Sequence, residues 1–144
     1  MTTDIANGAH HLDPQIESAR QLQATILPTE FPKALNITGA ARMQPARHMS
    51  GDFYDFIELP DGRVGMVIAD VSGKGIPAAF FMAIARTTLR AAALRHVDAG
   101  QCLMEANAEL VCQNPQLLFI TVAYAIVDPW SLRVELALAG HEPL

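Results

Sequence analysis

The stretch from Phe53 to Ala69 constrains this chain more than any other. Phe53–Leu59 reads as a strand, Pro60-Asp61-Gly62-Arg63 is a tight-turn signal, and Val64–Ala69 is an almost continuous apolar run. Strand, turn and strand in that order predict an antiparallel hairpin whose two open ends lie close in space. The unbroken apolar character of Val64–Ala69 predicts a central strand buried on both faces.

Other elements follow from the same kind of reading. Asp13-Pro14 marks a helix start, with aspartate as cap and proline in the first turn. Leu12, Ile16, Ala19, Leu22, Ile26 and Leu27 fall near helical spacing, predicting an apolar face that ends at Pro28. Such a helix either packs on the domain or continues a connector from upstream. Leu35–Gln44 has strand character. Gly73, Gly75 and Pro77 mark a tight loop, from which a helix runs from Pro77 to about His96. In it Phe80, Phe81, Met82, Ile84 and Leu89 are expected in the core. A further helix over roughly Gln101–Gln113 stops at Asn114-Pro115. Leu117–Val127 and Leu132–Ala139 are strands flanking the turn Asp128-Pro129-Trp130-Ser131, with Trp130 a surface or edge plug. The order predicts an α+β fold, antiparallel sheet with helices packed on it.

Composition removes whole classes of function. With 51% hydrophobic and 17% charged residues the chain is too apolar to be disordered. Its formal net charge of −5 carries no basic stripe, which argues against nucleic acid as a partner. The apolar stretches are too short to span a membrane, and Met1–Gly8 lacks a signal-peptide pattern. Cys102 and Cys112 are too few for a disulfide framework and are expected as buried small hydrophobes in a reducing cytoplasm.

Chemistry concentrates in Ser50-Gly51-Asp52-Phe53-Tyr54-Asp55 and Ala69-Asp70-Val71-Ser72-Gly73-Lys74-Gly75. Asp52 opens the first hairpin strand and Asp70 closes the second, so both carboxylates converge on one spot. Brought together in an apolar frame they repel unless they share a proton or a cation, and hard oxygen donors suit Mg²⁺ or Mn²⁺. An aspartate between a strand and a glycine also serves as a turn or cap residue, and for Asp70 that reading stays open. Asp55 and Asp61 read as solvent or turn residues, with a supporting place behind the ligands open to Asp55. Lys74 does not belong to a P-loop, since Ile68 and Gly75 stand where glycine and Ser/Thr are required. Ser72 and the cysteines form no nucleophilic triad, and the histidines lack zinc spacing. His141 follows a strand, either as a structural hydrogen-bonding residue or as part of a site.

Five blocks occur in order: Gln23-Ala-Thr-Ile-Leu-Pro28, Pro45-Ala-Arg47, Ser50–Asp55, Asp70-Val-Ser-Gly-Lys-Gly-Ile-Pro-Ala-Ala79 and Ala139-Gly-His141. Together they resemble the SpoIIE/RsbU-type branch of the metal-dependent, protein phosphatase 2C-like enzymes from about residue 19 onward. The resemblance implies an α-β-β-α sandwich of antiparallel sheets flanked by helices, with a binuclear Mn²⁺ or Mg²⁺ centre. It implies a phosphoserine or phosphothreonine protein as substrate, typically an anti-sigma-factor antagonist in bacterial signalling. Asp52 would bind one ion, Asp70 would bridge both, and the Val71 carbonyl would be a further ligand. Asp55, Gly73, Lys74 and His141 would contact substrate or support the ligands. Ser50 departs from the family's usual glycine. Further family aspartates lie downstream of the Ala-Gly-His block, and this chain ends three residues after His141. The expected organisation is a lead-in over 1–12, a linker or packing helix over 13–28 and a partial, C-terminally truncated catalytic domain over 29–144. A non-catalytic binding or homodimerisation module derived from the same fold is the alternative.

Overall fold

A computed structural model describes residues 13–32, 36–44, 49–112, 114 and 117–142. Three helices and four strands follow one another as α1 (Pro14–Ile26), β1 (Phe53–Glu58), β2 (Val64–Val71), α2 (Gly75–Arg95), α3 (Ala99–Cys112), β3 (Ile120–Val127) and β4 (Val134–Ala139). The strands form one antiparallel meander in the order β1-β2-β3-β4. This is the α+β, helix-on-antiparallel-sheet class expected from the element order. Among the described residues there is one sheet and one helical layer of the four-layer sandwich.

Strand alternation determines which side chains face the helices. Phe53, Asp55 and Ile57 pair with Ala69, Val67 and Gly65, and these pair onward with Val122, Tyr124 and Ile126. That face packs under α2 and α3, where Met82, Ala85, Leu89, Ala92, Cys102, Leu103 and Ala106 complete the core. At the β1–β2 turn Gly62 takes φ +84°, and a Cβ there would sit 2.5 Å from the Trp130 ring. Trp130 thus closes the end of the neighbouring hairpin, in keeping with an edge plug.

Several expectations need correction. Val64–Ala69 is not buried on both faces along its length: on the side away from the helices Val64 is buried but Ile68 is 48% exposed. In α2, Phe81, Met82 and Leu89 are core but Phe80 (68% exposed) and Ile84 face solvent, because one helix face suffices to meet sheet and α3. Cys102 is buried and Cys112 is exposed. Residues 36–44 form no strand: Ala40–Met43 line the cleft on the open side of the sheet, but the segment has no ladder partner, and β-propensity without pairing makes no strand. Leu35 and the block 45–48 lie outside the described residues, as do 1–12. The apolar stripe expected on α1 buries in part: Leu27, just past the helix, joins the core, and Ile16, Ala19 and Ile26 are half-buried. Leu22 is exposed, and the buried residue of that helix is Gln23. Its start is as expected: Asp13 caps it, Oδ1 accepting from the Gln15 N–H at 2.8 Å.

Candidate active site

Asp52 directly precedes β1 and Asp70 is the penultimate residue of β2. Because Phe53 pairs with Ala69, the two carboxylates are the next positions out in the same register. Alternation sends both to the open face of the sheet, away from α2 and α3. There they interact directly. Partial burial, then the hydrogen bond and charge of Asp70, raise the Asp52 carboxyl above the ordinary aspartate range, while Ser50 pulls the other way.

The backbone around this pair is tightly fitted. Gly51 lies against the end of β2: a Cβ at this position would be 2.8 Å from the Val71 carbonyl oxygen and 3.0 Å from its Cβ. Glycine is therefore required here for close approach. The Asp52 N–H donates to Ser50 Oγ at 3.0 Å. Ser50 in turn is held from α1, where Gln23 Nε2 donates to its carbonyl at 2.6 Å and Gln23 Oε1 accepts from its N–H at 3.1 Å.

His141 reaches the same place from the far end of the chain. Gly140, at φ +66°, turns the backbone as β4 ends and forms a bridge to Val122. His141 Nδ1 then sits 2.9 Å from Thr121 Oγ1, and Thr121 is the cross-strand partner of Asp70. Asp52, Asp70 and His141 line a cleft of about 420 Å³ whose other walls include Arg42, Met43 and Tyr54. Among the described residues no group of three or more His, Cys, Asp or Glu side chains gathers to hold an ion.

A family model described as stage II sporulation protein E (SpoIIE) matches residues 60–144. The chain belongs to the SpoIIE family. It is 33% identical over 129 residues to the phosphoserine phosphatase RsbU of Bacillus subtilis, covering 90% of this chain and 38% of RsbU. It is 26% identical over 168 residues to protein IcfG of Synechocystis, covering 98% of this chain and 26% of IcfG. A crystal structure of RsbU and RsbW domains from Mycobacterium tuberculosis superposes with a TM-score of 0.59 at 29% identity, over 72% of this chain and 28% of that one. This SpoIIE-family chain thus spans well under half the length of these relatives.

Of the residues singled out in the sequence, the fold brings Asp52, Asp70 and His141 to one cleft and sets the Val71 carbonyl against Gly51. Gly73, at φ +94°, and Lys74 lie in the exposed turn into α2, and neither contributes to the cleft wall. Asp55 is not a solvent residue. It points to the helix side, is 1% exposed, and pairs with Arg86 Nη2 at 3.0 Å and Arg90 Nη1 at 3.0 Å. Strand parity placed it there, and the arginines four apart on α2 are the signal that identifies its partners. Gln23 enters the sequence reading only as the start of the first family block, with no role in the site, and Thr121 and Arg42 are not singled out there; their contacts depend on loops and strand register that no local pattern reveals.

Proposed function

We propose that this chain carries part of the catalytic centre of a divalent-metal-dependent protein serine/threonine phosphatase of bacterial signalling. The observation that carries the reading is the convergence of Asp52 and Asp70 at one cleft, with the Asp52 carboxyl raised by partial burial and then by its neighbour. Family membership supports it. Two carboxylates forced together are stabilised by a shared cation, and all-oxygen donors match Mn²⁺ or Mg²⁺ rather than a thiolate-seeking metal. The residues present therefore fit such an ion: Asp52 and Asp70 by side chain, Val71 by its carbonyl. When bound, divalent ions supply Lewis acidity toward a phosphoryl group and acidify water enough for it to serve as nucleophile.

The chain's own residues have distinct tasks in this reading. Asp52 and Asp70 hold the cation. Arg42, on the cleft wall, offers the positive charge that draws a phosphoryl group toward two carboxylates. His141 has Nδ1 engaged by Thr121, which leaves Nε2 to hold or move a proton. Residues 13–28 act as a linker or packing helix and 29–144 as part of the catalytic domain. The substrate is a phosphorylated regulator, an anti-sigma-factor antagonist by the family resemblance, and the setting is the cytoplasm. No helix among the described residues is long and apolar enough to cross a membrane.

A second reading, a non-catalytic binding or dimerisation module, is favoured by one observation: only two side-chain carboxylates gather in the described cleft. Hydrolysis of an aryl phosphate and of a phosphoserine protein with and without Mn²⁺, with Asp70→Asn alongside, separates the two. Turnover that requires both Mn²⁺ and Asp70 is the expected result. Turnover that survives chelation or Asp70→Asn overturns the phosphatase reading. A chain that binds no Mn²⁺ yet sediments as a dimer favours the second.

A further inference from the structure

Gln23 is 6% exposed and is the one buried side chain of α1, a helix whose leucine at position 22 faces solvent. Its carboxamide engages both backbone groups of a single residue 27 positions away: the Ser50 carbonyl at 2.6 Å and the Ser50 N–H at 3.1 Å. That two-bond pairing has the form of a strand contact made by a side chain. Ser50 then accepts from the Asp52 N–H through Oγ at 3.0 Å. The segment precedes the first β1 residue in the ladder, so the sheet itself does not hold it. On its other side Gly51 is wedged against the Val71 carbonyl. One more tie, Tyr54 Oη donating to the Pro28 carbonyl at 3.1 Å, fixes the chain just after α1 to the same strand.

Resting on the reading of Asp52 and Asp70 as cation ligands, we infer that Gln23 is a positioning residue for Asp52. Its carboxamide holds the Ser50–Asp52 backbone in the conformation that brings the Asp52 carboxylate to Asp70. The seating of α1 on the domain thereby sets the affinity of the carboxylate pair for a divalent cation. The chemistry of the contact favours this over simple packing. An apolar side chain of similar size would fill the same space but leave the half-buried Ser50 N–H and carbonyl without their Gln23 partners. Partners that orient a ligand without touching the ion commonly change metal affinity about 10–100-fold, and here the partner acts through the backbone two residues before Asp52.

The test is Mn²⁺ binding by the whole chain, read from the free-ion electron paramagnetic resonance signal, which needs no turnover. Gln23→Met and Gln23→Glu are expected to weaken binding about tenfold, the first by removing both bonds, the second by setting a carboxylate against the Ser50 carbonyl. Gln21→Met, on the exposed side of α1, is expected to bind as the unmodified chain does. Wild-type affinity in Gln23→Met, with only a lowered Tm, overturns the positioning role and leaves Gln23 a packing residue. An unmodified chain that binds no Mn²⁺, or an Asp52→Asn chain that binds it equally well, overturns instead the metal reading on which the inference rests. Amide exchange on the unmodified chain decides the clamp independently of any variant's folding. A protected Ser50 amide supports it, and a freely exchanging one overturns it.

Discussion

Asp52 and Asp55 stand three positions apart and meet opposite surroundings, because strand alternation sends one to the open face of the sheet and the other under α2. Asp55 is buried and holds Arg86 and Arg90; the Arg90 Nη1 also donates to the Phe56 carbonyl at 3.2 Å. Removing the carboxylate leaves two guanidinium groups facing a buried strand, so Asp55→Ala is expected to lower stability by about 3 kcal/mol, read by urea denaturation. Asp52 behaves differently. Its folded carboxyl pKa is raised above the unfolded value, so its contribution to stability is fully present below the ordinary aspartate range and lost as pH rises through the raised value. In metal-free buffer, then, the Asp52 contribution to stability is expected to fall between about pH 4 and neutrality by under about 1 kcal/mol, since solvent screens the pair. It is read as the pH-dependent difference between the unmodified chain and Asp52→Asn in paired melting curves, and a difference that does not change with pH would overturn it. The pairing of Asp52 with Asp70 was legible in the sequence because a hairpin fixes which ends meet. The burial of Asp55 was not, since its environment depends on where α2 lies.

At the scale of elements, the hairpin, α2, α3 and the second hairpin were legible because each is punctuated by its own turn or cap residues. Asp13-Pro14, Pro60–Arg63 and Asp128–Ser131 do this by local backbone chemistry alone. The failures are all matters of what an element packs against. Residues 36–44 carry β-branched side chains but find no ladder, and on α1 the stripe buries only in part, with Leu22 exposed and Gln23 buried instead. Tyr124, at the centre of β3, is a further case. It is wholly buried, its hydroxyl finds no hydrogen-bond partner among the described residues, and burial pushes its pKa well above the usual phenol value. An unpaired buried hydroxyl costs stability, whereas its removal leaves a phenyl ring of the same shape. Tyr124→Phe is therefore expected to be neutral or to stabilise by up to about 1 kcal/mol in thermal unfolding. A loss of more than that amount would mean the hydroxyl has a partner.

For the molecule as a whole, the cleft draws on segments far apart in the chain: Arg42 before the sheet, Asp52 at the head of β1, Asp70 at the end of β2 and His141 after β4. In the unfolded chain these groups are dispersed, so an ion that needs Asp52 and Asp70 together binds the folded state alone. Binding and folding are then linked. A ligand at one hundred times its dissociation constant adds about 2.7 kcal/mol, and in a domain of this size each kcal/mol moves Tm by about 2–8 °C. Saturating Mn²⁺ is thus expected to raise Tm by several degrees, with the rise growing with the logarithm of ion concentration. Part of that gain comes from relief of the repulsion at Asp52, so the Mn²⁺ shift should be larger at neutral pH than near pH 4, where protonation already relieves it. Asp52→Asn and Asp70→Asn should each lose most of the shift, while Asp61→Asn, a turn residue bonded to Arg63 at 2.7 Å, should keep it. A shift that persists in both site variants would place the ion elsewhere on the surface. Its disappearance in both would tie the stability of the whole sheet to two carboxylates at one of its ends.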